Sequence, residues 1–436
     1  MAPNNVDRLS ILPEEVLSHV LSLMPTKYAV RTSILSKRWR YSWTSVTNLD
    51  FDDHHPFHDL HCLKTFIDRI LSLCKTTQLN SFRLSFGEMW PPKSSVSKWI
   101  NEAVRLNVSE LYVKANLIDL PSLFTCMTLM KLSFVYNEGG YCNFTSSIDL
   151  PFLKTLIITI FGPSSFNASK IIHGCPVLES LFLDIDCGGN DEDYNFNIPT
   201  LKHLEIRTRK GLGVNQVVMN LPDLESFYFQ GSLSSNYMTS RFVTVDMSSL
   251  VSATFLCNYS RSTELWVEVL KGIAGAKSLS MSIPYMVPPN VPLPNFSNLK
   301  HLELKSSVRH CIVPPQQNVD WLLFPQILEN SPELEHLCIE GDSDDSGWIE
   351  PQCVPICMLK SLRTIKFESG QLWKSNIKIL AYLLRNAEVL KTATIVSRIF
   401  PLEEEMRFCT ELLKLPRASR YCETHFHGSL SHSASI

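Results

Sequence analysis

Leu299-Lys-His-Leu-Glu-Leu304 and Leu334-Glu-His-Leu-Cys-Ile339 are two copies of one phrase, L-x-x-L-x-φ with φ apolar, and its recurrence decides the fold. Upstream it reads Leu129-Met-Lys-Leu-Ser-Phe134, Leu153-Lys-Thr-Leu-Ile-Ile158, Leu178-Glu-Ser-Leu-Phe-Leu183, Leu201-Lys-His-Leu-Glu-Ile206 and Leu224-Glu-Ser-Phe-Tyr-Phe229. It continues as Leu250-Val-Ser-Ala-Thr-Phe255, Ala276-Lys-Ser-Leu-Ser-Met281 and, last, Leu362-Arg-Thr-Ile-Lys-Phe367. Most copies lie 23 to 28 residues apart, with one gap of 35. A unit of this size has too little apolar surface to stand alone, whereas stacking its strand on the next builds a parallel sheet and a continuous core.

The period falls in the range of leucine-rich repeats. Several copies follow a helix that ends in a small residue and proline, as at Gly174-Cys-Pro176 and Ser331-Pro332, where proline stops the helix. The expected fold is therefore α/β: a curved leucine-rich-repeat solenoid with a parallel sheet on the concave face, helices and loops outside, and an α/β cap at the C-terminal end. Upstream of the first full phrase, 63–74 and 96–106 have helical periodicity, while 82–86 and 111–113 alternate as strands. The stretches 187–193, 284–294 and 341–346 are polar or proline-rich and read as loops leaving the repeats.

Strand side chains alternate, so the residue between the last two apolar positions of each phrase points away from the core. That column contains Ser133, Ile157, Phe182, Glu205, Tyr228, Thr254, Ser280, Glu303, Cys338 and Lys366. Ile157, Phe182 and Tyr228 form an apolar and aromatic spot in it, where a partner's buried anchor has most to gain. With Glu205 and Glu303 they are the candidate substrate-binding residues of the concave face.

At the other end of the chain, Pro13 with Glu14 and Glu15 fits a helix start, and Val16, Leu17, Val20, Leu21 and Met24 make one apolar stripe that Pro25 ends. Thr26 is placed to cap a second short helix and Ser36 a third, which carries Trp39 and Trp43. Three short helices in about 40 residues make a poor core alone, and such a unit needs a partner or a neighbouring domain to cover it. The run Leu12-Pro13, Glu15-Val16-Leu17, Val20-Leu21, Pro25-Thr26-Lys27, Ala29-Val30-Arg31-Thr32-Ser33, Leu35-Ser36-Lys37-Arg38-Trp39 and Trp43 resembles an F-box of the plant type.

A second resemblance lies at the C-terminal end. Leu359-Lys-Ser-Leu-Arg-Thr-Ile-Lys-Phe367, Ile379-Leu-Ala-Tyr-Leu-Leu-Arg-Asn-Ala-Glu-Val-Leu390 and Leu415-Pro-Arg-Ala-Ser419 are similar to the FBD module that follows plant F-box and leucine-rich-repeat regions. Physically it supplies a strand, an amphipathic helix through Leu383 and Ala387, a strand at 393–396 and a closing helix at 402–415, which together cover the last apolar face of the stack. Whether the module only caps or also binds stays open. The expected organisation is an F-box at 7–53, repeats at 60–345, the FBD cap at 353–427 and a disordered tail at 428–436.

The resemblance implies a non-catalytic adaptor of an SCF-type ubiquitin ligase, acting in the cytoplasm, the nucleus or both. Its F-box would dock on a Skp-family linker through Leu9, Leu12, Pro13, Val16, Leu17, Val20, Leu21, Leu35 and Trp39. The linker in turn joins cullin and a RING protein, and the repeats hold an unknown substrate protein. Two alternatives remain: a repeat scaffold without a ubiquitin role, and a small-molecule receptor working through the same complex.

Composition narrows the classes further. A formal charge of −3 with mixed signs gives no footprint for nucleic acid or an anionic membrane, and no apolar run approaches the roughly 18 residues of a membrane span. The N-terminus lacks a signal-peptide pattern, so the five N-x-S/T sequons read as chance matches. Thirteen scattered cysteines without a C-x-x-C pair argue against a disulfide framework or zinc ribbon, and Cys175, Cys257 and Cys338 read as core residues. His54, His55, His58, His61 and Cys62 lack a second ligand cluster, and the acidic 341–346 loop lacks the glycine and glutamate of an EF-hand, so no metal is expected. No P-loop, H-E-x-x-H or G-x-S-x-G is present, and no cofactor or catalytic residue is assigned.

Overall fold

The structure is a computed structural model. It describes residues 11–53, 57, 59–87, 89–114, 123, 126–136, 148–161, 173–186, 194–208, 216–232, 241–259, 263–282, 291–305, 323–340, 348–369, 373–397 and 402–428. Leu9, the His54, His55 and His58 cluster, the acidic segments 187–193 and 341–346 and the 429–436 tail lie outside them. The chain forms two compact units, Met1–Asn190 and Asp191–Ile436.

The first unit opens with α1 (Glu14–Ser22), α2 (Thr26–Arg31), a 3₁₀ turn (Thr32–Ile34), α3 (Trp39–Ser42) and a second 3₁₀ turn (Trp43–Ser45). Pro13 and Pro25 occupy the N-caps of α1 and α2, where a missing N–H costs nothing. Leu17 and Leu21 of α1, Ala29 of α2, Trp39 of α3 and Trp43 form the small core of these helices.

Six parallel strands follow in chain order across one sheet: β1 (Asn48–Asp52), β2 (Ser81–Ser85), β3 (Glu110–Lys114), β4 (Lys131–Tyr136), β5 (Thr155–Phe161) and β6 (Ser180–Asp186). Between β1 and β3 the crossovers are α4 (Leu60–Leu73) and α5 (Lys93–Arg105), slightly longer than the periodicity predicts. Their apolar faces meet the inward side chains of the sheet, where Phe51 packs edge-on to Phe82 at 5.9 Å and Phe86 lies 6.1 Å from Trp99. Asp68 of α4 clamps α5 by accepting from Trp99 Nε1 at 2.9 Å and Lys98 Nζ at 3.0 Å. Burial alone would raise the Asp68 pKa, but these two donors outweigh it and hold the carboxyl below its ordinary value.

Strand β1 falls within the segment expected to close the F-box, so the helical unit runs directly into the sheet. Two hydroxyls make the junction. Ser22 Oγ accepts from the Thr47 N–H at 3.0 Å and Thr26 Oγ1 from the Asp50 N–H at 2.7 Å, which satisfies donors on the outer edge of the first strand. Thr26 is thus an edge-capping residue inside α2 rather than the N-cap predicted for it.

The second unit holds a nine-stranded parallel sheet in the order β8 (His203–Arg207), β10 (Ser226–Ser232), β12 (Ser252–Tyr259), β13 (Ser278–Ser282), β14 (His301–Lys305), β15 (His336–Glu340), β16 (Thr364–Ser369), β17 (Thr392–Ser397) and β18 (Glu423–His427). Every phrase from Leu201 onward contributes its strand here. Helices α6 (Thr263–Ile273), α7 (Phe324–Glu329), α8 (Ile356–Lys360), α9 (Trp373–Asn386) and α10 (Leu402–Lys414) carry the chain between later strands. Phe408 of α10 lies 6.2 Å from Phe426 of β18, closing the cap over the last strand.

Early in this unit the outer layer departs from the helix-or-loop expectation. A second parallel sheet of β7 (Tyr194–Asn197), β9 (Gln216–Asn220) and β11 (Arg241–Asp246) alternates in sequence with β8, β10 and β12. Tyr194, Phe196, Val217, Met219 and Phe242 point inward at period two, so these segments bury one face as strands do. Phe229 joins the layers, lying 6.2 Å from Phe242 and 5.6 Å from Phe255. At Gly231, with φ of 146°, a Cβ would lie 2.0 Å from the Thr208 carbonyl oxygen, so only glycine fits the irregularity that ends β10.

Candidate functional site

Two surfaces carry the residues that the sequence singles out. The first is the outer face of the helical unit. Its predicted docking residues divide by orientation: Pro13, Val16, Val20 and Leu35 are exposed and Leu12 is half-buried, whereas Leu17, Leu21 and Trp39 are 0%, 0% and 6% exposed. The last three hold the helices together instead of facing out, because Leu17 and Leu21 stand one turn apart on the side of α1 that meets the unit's own core. Exposure also adds Ile11, Leu23, Ile34 and Tyr41, which the stripe analysis passes over. Ile34, at the end of the 3₁₀ turn Thr32–Ile34, is 86% exposed.

The geometry of this face is fixed from within. Arg38 donates to the Leu12 carbonyl and lies 4.0 Å from Glu14, tying the start of α1 to the segment before α3. Ser18 Oγ donates to the Ser45 carbonyl at 2.7 Å. An open groove beside α1 is lined by Glu14, Glu15, Ser18, His19, Thr47 and Asn80, none of them an apolar residue. Apolar side chains exposed on such short helices are what a partner helix would cover.

The second surface is the outward side of the parallel sheets. Strand register in the first unit places Asp50, Arg83, Tyr112, Ser133, Ile157 and Phe182 in one row across six strands. Ile157 and Phe182 are direct neighbours, and both are half-buried. Sequence reading missed the first half of this row because the segments of β1, β2 and β3 lack the full phrase. There the Arg83 guanidinium lies 4.1 Å over the Tyr112 ring and 3.5 Å from Asp50. Burial raises the Asp50 pKa, partly opposed by Arg83 and reinforced by Asp52.

In the second unit the corresponding row is Glu205, Tyr228, Thr254, Ser280, Glu303, Cys338, Lys366, Thr394 and His425. Glu205 and Tyr228 are neighbours, and Tyr228 donates to Gln230 Oε1 at 2.8 Å with the Arg207 guanidinium 5.3 Å from its ring. Glu303 stands three strands from Tyr228, about 14 Å at the usual strand spacing. It accepts from Ser280 at 2.7 Å and pairs with Lys305 at 3.2 Å. The five predicted residues therefore divide between the units, Ile157 and Phe182 in the first and Glu205, Tyr228 and Glu303 in the second.

Cys338 sits in this outward row, as its place in the phrase predicts, and is half-exposed, which corrects its reading as a core residue. Cys175 and Cys257 are buried as expected. Burial pushes the thiols of Cys175 and Cys357 up to about 12 and, with Glu303, that of Cys338 up to about 11, so all three are protonated at neutral pH. Among the described residues no group of three or more His, Cys, Asp and Glu is placed to hold a metal ion, and no helix is long and apolar enough to cross a membrane.

Comparison with known proteins finds a family domain toward each end of the chain. The F-box domain matches residues 9–51 and the FBD matches residues 350–395. An F-box/LRR-repeat protein of Arabidopsis thaliana is 31% identical over 389 residues, covering 82% of this chain and 97% of that protein. An FBD-associated F-box protein of the same plant is 29% identical over 450 residues, covering 97% of this chain and all of that protein. A putative F-box/FBD/LRR-repeat protein, also from Arabidopsis thaliana, is 26% identical over 455 residues, covering 96% of this chain and 93% of that protein.

Proposed function

Because this chain belongs to the F-box/LRR-repeat protein family, we propose that it is the substrate-recognition adaptor of an SCF-type, cullin–RING ubiquitin ligase. The observation that carries this reading is the outer face of the helical unit, where Leu12, Pro13, Val16, Val20, Ile34 and Leu35 stay accessible although the unit already has a core of its own. That face is the docking surface for a Skp-family linker, through which cullin and a RING protein join. Leu17, Leu21 and Trp39 support it from beneath.

The substrate protein lies on the outward rows, with Ile157 and Phe182 of the first unit as its apolar anchor. The chain contributes proximity and no reacting group: a carried ubiquitin-conjugating enzyme meets a substrate lysine at raised effective concentration. Such work belongs in the cytosol or nucleus, where the ubiquitin machinery operates.

The test is co-purification of the full chain with a Skp-family linker. Leu12→Ala with Pro13→Ala is expected to abolish capture while the thermal unfolding of the chain is unchanged. Undiminished capture by this variant removes the F-box reading. Ile34→Asp with Leu35→Asp repeats the test on residues that are 86% and 67% exposed.

A further inference from the structure

One row of the second unit is not used by the adaptor reading. It lies at the N-terminal ends of the strands, one residue before each begins, and is fixed by backbone bonds: Lys300 donates to Lys277 O at 2.8 Å, Glu335 to Lys300 O at 2.9 Å, Arg363 to Glu335 O at 2.8 Å and Lys391 to Arg363 O at 2.8 Å. Five successive strands, β13 to β17, thus present Lys277, Lys300, Glu335, Arg363 and Lys391 side by side at about 4.8 Å intervals. Four of these five are cations, and all four are exposed.

The single carboxylate is shared. Glu335 lies 2.8 Å from Lys300 Nζ and 3.6 Å from Arg363 Nη1, so one negative charge serves two positive ones. The hydrogen bond from Lys300, with the nearby charges of Lys300 and Arg363, holds the Glu335 carboxyl below its ordinary pKa. Lys277 and Lys391 extend the row at either end. Directly beside it, His301 and His336 stack with ring centroids 4.4 Å apart, and His336 Nδ1 lies 2.8 Å from Thr364 Oγ1. The stack gives the row a flat, weakly polar flank. Glu333 and Glu388 are exposed on the turns before β15 and β17.

Elsewhere the same row has no such surplus. In the first unit it passes from Met130 to Lys154 and Glu179, whose charges pair at 2.9 Å, and the early second unit has Lys202, Glu225 and Val251. The basic excess is confined to β13–β17, in a chain whose net charge is −3.

We propose that this row is a docking edge for an acidic segment of a protein partner, laid across the strands so that its carboxylates meet Lys277, Lys300, Arg363 and Lys391 in turn. The match is one of charge and spacing: successive strands stand about 4.8 Å apart and an extended chain places side chains of one face about 7 Å apart, so carboxylates on an extended segment reach the cations without a unique register. Exposed pairs of this kind add to on-rate and selectivity and are screened by salt.

The probe is a fluorescein-labelled peptide of eight glutamates, read by anisotropy against the full chain, with an eight-lysine peptide and a single-stranded oligonucleotide of equal charge as comparisons. Binding of the glutamate peptide that falls with added salt, and falls about tenfold or more in Lys277→Glu, Arg363→Glu, Lys391→Glu, is the expected result. The neutral variant Lys277→Gln, Lys391→Gln is expected to lie between. Reversal of three exposed arginines elsewhere, Arg69, Arg105 and Arg420, leaves it unchanged. Equal loss in that control, no binding of the glutamate peptide, or tighter binding of the oligonucleotide overturns the proposal. Linker capture, which uses the F-box face, stays intact in every variant and keeps this outcome separate from that of the adaptor reading.

Discussion

The outward rows of the two units share one backbone pattern and differ in chemistry. In the first unit the row runs from the Asp50–Arg83–Tyr112 group to Ile157 and Phe182, two apolar side chains with no polar partner between them. In the second it passes from Tyr228 through hydroxyls to Glu303 and Lys366, which pair with Lys305 and Glu368 on their own strands. Paired charges of this kind keep an open sheet face wet and contribute little to stability. An apolar pair on the same kind of face gains nothing from water, so its half-burial is left for another molecule to complete. On the proposed adaptor reading, the first unit would anchor a partner and the second would select it by polar contacts.

The comparison breaks most sharply if inward and outward aromatics turn out alike. Phe255, fully buried on the inward side of β12, is expected to cost about 3–5 kcal/mol when replaced by alanine, measured by denaturant unfolding of the second unit's signal. Phe182→Ala should change stability by less than about 1 kcal/mol yet weaken capture of the bound protein. If Phe182→Ala destabilises as much as Phe255→Ala, the first row is core and not a surface. Thr26→Val tests the boundary of that row and is expected to cost about 1–3 kcal/mol, because the Asp50 N–H loses its acceptor. Local hydrogen exchange at Asp50 reads this directly.

The smallest effects are in pH. His336 has its pKa lowered by burial and then by His301, so the unfolded chain binds its proton more readily. Its contribution to stability is present above the ordinary histidine value near 6.5 and is lost as pH falls through the lower folded value. The buried thiols act at the other end. Raised to about 12 by burial, Cys175 and Cys357 contribute stability that is full below 9.0 and is lost as pH rises through the folded value. Unfolding curves from pH 5 to 11 should therefore fall at both ends, and His336→Gln should flatten the acid limb only.

Much of this architecture is legible in the sequence because the repeat phrase states its period and its inward face at once. From Leu129 onward every copy of the phrase yields a strand in one of the two units. What stays hidden has physical causes. The β7–β9–β11 sheet is built from short segments such as Tyr194-Asn-Phe-Asn197, whose two inward residues give too brief an alternation to separate strand from loop. Helix α6, by contrast, carries a readable pattern, with Glu264, Glu268 and Lys271 on one strip and Leu265, Trp266, Val269 and Leu270 buried opposite, so nothing physical hides it. For the docking face, an apolar stripe on α1 says that the side chains seek cover and not which neighbour supplies it. Leu17 and Leu21 find it inside the unit, while Val16 and Val20 do not.

The hydroxyl junction at Ser22 and Thr26 gives the first sheet a fixed origin. Each strand beyond it adds about 4.8 Å, so the row from Asp50 to Phe182 is a scale graduated in strands and zeroed at the helical unit. On the proposed adaptor reading, an anchor moved from Ile157 to Phe182 would shift its cargo by one graduation, and with it the set of lysines that come within reach of a carried enzyme.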